Sequence, residues 1–158
     1  MNARRMYLGS CAGLAGLACL MAMSTACMEL TINQSRSLPG TLYLIEKHAA
    51  IGRGDLVAFR WHGGGPYPAG VTFIKVVHGM PGDVVRREGQ GFWVNQTYIG
   101  VAKTTGRDGQ ALQAASPGII APGEIFVATA SADSLDSRYQ LSGNIASADI
   151  VGRAYALF

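Results

Sequence analysis

Val-Thr-Phe-Ile-Lys-Val-Val, residues 71–77, is the stretch that decides how this chain folds. It is dense in β-branched and aromatic residues, contains no Gly or Pro, and is closed off by Gly70 and Gly79, so Val71–His78 reads as a strand. Alternate residues of a strand share a face, which sets Lys75 among Val71, Phe73 and Val77 on an apolar side. A strand with two apolar faces needs neighbours, and the flanking sequence supplies them. Leu42–Lys47 and Asp55–Arg60 precede it; Asp83–Arg87, Phe92–Asn95, Tyr98–Val101, Glu124–Ala130 and Ile150–Phe158 follow, each broken from the next by Gly, Pro or Asn. After residue 28 no stretch holds a 3.6-residue apolar period over three turns. His62–Gly70 is a Gly/Pro loop, and the polar connection across 102–123 is expected to form a small subdomain or flap. The expected architecture is all-β, a partly closed barrel or sandwich behind an N-terminal apolar leader.

The bulk properties narrow the function. A length of 158 residues holds one domain and a leader. The net charge is +3, the basic residues are scattered, and Arg86-Arg87 is the only adjacent basic pair beyond the N-terminus, which speaks against a nucleic-acid partner. All three cysteines (Cys11, Cys19, Cys27) fall in the leader, leaving no disulfide framework or Cys-based zinc site beyond it. Without a Walker loop, a dinucleotide fingerprint or a His-x-x-x-His pair, no cofactor and no metal are expected.

Met6 to Met28 carries no charge and follows Arg4-Arg5. Such a run can cross a hydrocarbon core of roughly 30 Å, with the arginines left in the cytoplasm and everything from Glu29 on the far side. The leader is a retained anchor, a signal peptide cut after the small residues Ser24-Thr25-Ala26, or a lipid site at Cys27; each fate exports residues 29–158.

A serine becomes a useful nucleophile only beside a base. Lys47 and Lys103 sit among turn residues, whereas Lys75 on its apolar face loses hydration, which lowers a lysine from its reference of about 10.4. A strand lysine can instead snorkel its head to solvent. His48, His62 and His78 are the remaining candidate bases. The letters His62-Gly63-Gly64-Gly65 and Ala114-Ala115-Ser116-Pro117-Gly118 imitate a lipase, but Pro117 lacks the N–H that a nucleophile elbow requires. Asn33-Gln34-Ser35 and Asn95-Gln96-Thr97 are sequons, and Arg53-Gly54-Asp55 reads as a turn entering a strand.

Four segments in order resemble the signal-peptidase family of membrane serine peptidases, which use a Ser/Lys dyad on a β fold. N-Q-S-R-S-L-P-G-T-L-Y (Asn33–Tyr43) is similar to its nucleophile box, and G-R-G-D-L-V-A-F (Gly52–Phe59) to its second strand box. F-I-K-V-V-H-G-M-P-G-D (Phe73–Asp83) is similar to its base box. S-L-D-S-R-Y (Ser134–Tyr139), followed by I-V-G-R-A (Ile150–Ala154), is similar to its last. Asn33, Ser37, Pro39, Leu42 and Tyr43 follow the pattern of the TraF-type conjugal transfer peptidases. Leu38, Val76 and Ala128-Thr129-Ala130 depart from that of general leader peptidases. The resemblance implies Ser37 as nucleophile and Lys75 as base, with the Ser37 N–H and the Ser35 hydroxyl as oxyanion hole. It implies support from Ser134, Asp136 and Arg138. If those three lie on an extended segment they share a face, Ser134 orients the lysine, and Asp136 is satisfied by Arg138. The implied substrate is a pilin precursor at the periplasmic face of the inner membrane, cut and in some relatives cyclised for the conjugative transfer machinery. The alternatives are a general or accessory leader peptidase and a non-catalytic β-domain of the mating apparatus.

Overall fold

The computed structural model describes residues 25–35, 37–107 and 109–158. The leader expectation for residues 1–28 therefore lies almost wholly outside the described residues. Among those residues no helix is long and apolar enough to cross a membrane. Among the described residues eleven strands run in order: β1 (Met28–Ile32), β2 (Leu42–Lys47), β3 (Leu56–Arg60), β4 (Thr72–Gly79), β5 (Val84–Glu88), β6 (Gly91–Val94), β7 (Thr97–Val101), β8 (Gly118–Ile119), β9 (Glu124–Ala128), β10 (Ile145–Ala146) and β11 (Ile150–Ala156). The all-β expectation holds. A curled seven-stranded sheet, ordered β1-β2-β11-β3-β4-β9-β10, carries the Lys75 strand near its middle, and a four-stranded sheet is ordered β7-β6-β5-β8. All pairings between these strands are antiparallel.

One part of the core lies between the sheets and the rest on the seven-stranded sheet alone. Glu-Ile-Phe-Val-Ala of β9 is apolar on both faces because both are covered, as a run without polar alternation requires. Phe126 and Ala128 join Val85, Phe92, Val94 and Ile120 on the small-sheet side, while Ile125 and Val127 join Val57, Phe59, Trp61 and Val77 on the other. At β4 the ladder to β9 shifts between Val77 and Gly79. A Cβ at Gly79 would stand 2.4 Å from Ile120 Cδ1, so the bulge brings backbone against the small-sheet core. The 102–123 connection also touches this core, burying Ala102 and Ile120.

Met28–Ile32, not among the expected strands, is an edge strand, registered Leu30 to Leu44 on β2, with Leu30 and Ile32 about two-thirds exposed (63% and 65%). Ser134–Arg138 forms no strand: Asp136 lies in a bend and Ser137 and Arg138 in a turn. The Asp136 carboxylate accepts from the backbone N–H groups of Thr129 and Arg138, which folds the run back on itself.

Candidate active site

The loop from Asn33 to Thr41 is closed by its own side chains. Asn33 Nδ2 donates to the carbonyls of Leu38 (3.1 Å) and Gly40 (3.2 Å), and its Oδ1 accepts from the Ser35 N–H (3.0 Å) and Ser35 Oγ (2.9 Å). The Asn33 N–H donates to Thr41 O, and the Tyr43 hydroxyl donates to Pro39 O. One asparagine and one tyrosine therefore fix both shoulders of the turn that presents Ser37. The sequence reading saw Asn33 only as a sequon and as a letter of the nucleophile box; its clamping role shows only once the loop is closed.

Beneath this loop, β4 brings up Lys75. Its register partner is Val57, and it is only 6% exposed. Lys75 Nζ lies 3.4 Å from Ser37 Oγ, and Ser35 Oγ is 2.8 Å from the same atom. The Ser37 N–H donates to Ser35 Oγ at 3.5 Å, so the two expected oxyanion donors are neighbours, with the Ser35 hydroxyl itself turned to Asn33 Oδ1. The Phe73 ring stands 5.4 Å from the ammonium and covers it, a contact that the shared strand face allows and that the sequence reading did not draw. Burial pulls the Lys75 pKa down from 10.5 to about 8; Asp136 opposes this and Arg138 assists it. The snorkelling alternative is not what the structure shows, since the lysine head is covered. Among the described residues no histidine is hydrogen-bonded to Ser37. His62 is exposed; His78 is half-buried, and burial holds it below its usual value.

Asp136 and Arg138 are both buried and paired through two bonds, Nε to Oδ1 and Nη2 to Oδ2, each 2.8 Å. The carboxylate is thus spent on the guanidinium rather than on the lysine. Arg138 also donates to the carbonyls of Thr129, Ser131 and Val101. Ser131 and Ala130 form the far wall of an open cleft of about 710 Å³ whose near wall is the Asn33–Thr41 loop. Ser134 does not orient the lysine here: its Oγ is buried and has no hydrogen-bond partner among the described residues. The turn that pairs Asp136 with Arg138 is the reason, because it replaces the extended geometry that would have aligned all three side chains.

A buried amine of lowered basicity, a hydroxyl within reach of it, and a second hydroxyl beside that one can together support acyl transfer. Among the described residues no cluster of three metal-ligating side chains accompanies them. A family model described as "Signal peptidase, peptidase S26" matches residues 5–158. Among solved structures, a signal peptidase I from Enterococcus faecalis V583 is similar, with 23% identity, 66% of this chain and 96% of that chain covered, and a TM-score of 0.43. No curated protein matches.

Proposed function

The chain belongs to the signal peptidase S26 family, a family of serine peptidases, and from that premise we propose that it cleaves exported precursors with a Ser37/Lys75 dyad. Neutral Lys75 takes the Ser37 proton as the oxygen attacks the scissile carbonyl, and the oxyanion is met by the Ser37 N–H and the Ser35 hydroxyl. The lysine, now an ammonium, gives its proton to the leaving amine. Water or another amine then resolves the Ser37 ester. The observation that carries this reading is the 3.4 Å approach of the Lys75 nitrogen, buried and depressed in pKa, to Ser37 Oγ.

The substrate we propose is a small membrane-inserted precursor, namely the pilin subunit of a conjugative apparatus at the periplasmic face of the inner membrane. Support comes from the TraF-like spacing of Asn33, Ser37, Pro39, Leu42 and Tyr43. Co-expression with the candidate pilin and intact-mass analysis tests it. Hydrolysis gives two fragments, ring closure gives a product one water lighter than the hydrolysed form, and an uncut precursor removes the proposal. Ser37→Ala and Lys75→Ala should each abolish processing with the fold intact. The second reading, a general leader peptidase, draws on the family description itself; rescue of secretory cleavage in cells lacking their usual enzyme would select it. A non-catalytic β-domain is the third, and stoichiometric labelling by a serine-directed acylating inhibitor would remove it.

A further inference from the structure

A second groove of about 700 Å³ opens between the His62–Gly70 loop and the 102–123 connection, two segments that the dyad leaves without a role. Tyr67, Leu112, Leu135 and Leu141 line it with apolar surface, and Asp133 and Arg107 stand at one end. The Asp133 carboxylate is shared: Arg107 Nη2 donates to one oxygen at 2.8 Å and Lys103 Nζ donates to the other. Among the described residues two cations there share one anion. The loop is seated by Trp61, whose indole N–H is 3.3 Å from both Gly64 O and Tyr67 O. A Cβ at Gly64 would lie 2.9 Å from Leu141 Cδ1, so the glycine tip forms a close edge of the groove that bulkier residues would displace.

The groove lies on the lysine side of the dyad. The Phe73 ring is 5.4 Å from Lys75 Nζ, and the Tyr67 ring meets Phe73 edge-on at 5.2 Å between centroids. Ser134 and Leu135 also line the groove, and they immediately precede the Asp136 that acts on Lys75. In acyl transfer the acyl half stays on Ser37, beside the cleft of the Asn33–Thr41 loop. The leaving half takes its proton from the lysine, so it departs past that nitrogen. Resting on the dyad reading, we infer that the groove binds the leaving-side segment of the substrate and that Lys103 and Arg107 select an acidic residue in it. At roughly 3.3 Å per extended residue, the Tyr67 rim is reached about three residues beyond the bond and the charged end shortly after.

The test uses two precursor peptides, identical except for Glu or Lys at the third to fifth residues after the bond located by mass. Binding is measured by fluorescence anisotropy to the full chain carrying Ser37→Ala, and cleavage is measured with the unmodified chain. The Glu peptide should bind about tenfold more tightly than the Lys peptide, and Lys103→Glu with Arg107→Glu should invert that order. Equal binding of the two peptides overturns the inference, as does a charge reversal that weakens both alike, since a merely structural role predicts that. Charge preference in binding without cleavage leaves the groove standing and removes the dyad reading. Cleavage without preference does the reverse.

Discussion

Lys75 shows how much one side chain's behaviour follows from its position in a strand. Its apolar face was legible from the period of two in residues 71–77, and with it the direction of its pKa shift. The covering Phe73 ring and the Asn33 clamp over Ser37 were not, because both depend on where a side chain comes to rest after the loops close. With the Lys75 pKa at about 8, only about a tenth of the molecules hold the neutral base at pH 7, so the rate should climb with pH and level off above about 8. A rising limb confined near about 6.5 would assign the base to a histidine. The same shift has a stability consequence of definite sign. The unfolded chain keeps this proton up to 10.5 and the folded chain releases it near 8, so the unfolded state binds more protons between those values. Stability therefore rises with pH across that window, while below it the cost of the buried ammonium, about 3 kcal/mol at most, is present in full. Lys75→Met should accordingly be more stable than the parent in urea at pH 7, with the difference shrinking toward pH 10.5. A constant difference across that range would separate its origin from the lysine's charge.

Among the elements, the long strands were readable and the short ones were not. Leu42–Lys47 coincides with β2, and the boundaries of β3 to β7 fall within a residue of those expected. In Met28–Ile32 the usual pattern is inverted: Met28, Leu30 and Ile32 point outward, so no buried face announced the strand. β8 and β10 have two residues each, too few to show a period. The alternation in Ser134–Arg138 misled for a different reason. Asp136 offers the backbone a local carboxylate partner, and that competes successfully with an extended chain. Close strand packing also makes a prediction at this scale. β11 lies between β2 and β3, and a Cβ at Gly152 would stand 2.0 Å from Glu46 O and 2.7 Å from Glu46 C. These are main-chain atoms of β2 and cannot swing aside. Gly152→Ala should lower the unfolding free energy by about 3 kcal/mol or more. Gly54→Ala, with a φ of +87° but nothing within 4 Å of the added carbon, should cost only about 1 kcal/mol. Urea midpoints showing equal losses would mean that β11 does not press on β2 as described.

Across the whole molecule, one buried ion pair links the two sheets to the proposed chemistry. Arg138 reaches Val101 O at the end of β7, Thr129 O just beyond β9, and Ser131 O on the cleft wall, while Asp136 fixes its guanidinium. Gly100, at a φ of +136°, leaves room for it: a Cβ there would be 2.8 Å from Arg138 Nη1. Removing one partner leaves the other charged and buried, which costs about 3–5 kcal/mol. The fold should weaken similarly in Asp136→Asn and Arg138→Met. The pH dependence of the reaction should not move similarly. Asp136 raises the Lys75 pKa and Arg138 lowers it. Losing the carboxylate should therefore carry the rising limb to lower pH, and losing the guanidinium should carry it to higher pH, each by on the order of one unit. His78 feels the same pair together with Arg53, and would shift in the same directions, but from a limb that begins below its usual 6.5 rather than near 8. Replacing both partners, Asp136→Leu with Arg138→Met, removes opposing influences together and leaves no lone buried charge. The double variant should recover much of the lost stability and return the limb toward about 8. If the single variants shift the limb the same way, these two residues hold the sheets together without setting the basicity of Lys75, and the lysine's depressed pKa would then rest on burial beneath Ser37 alone.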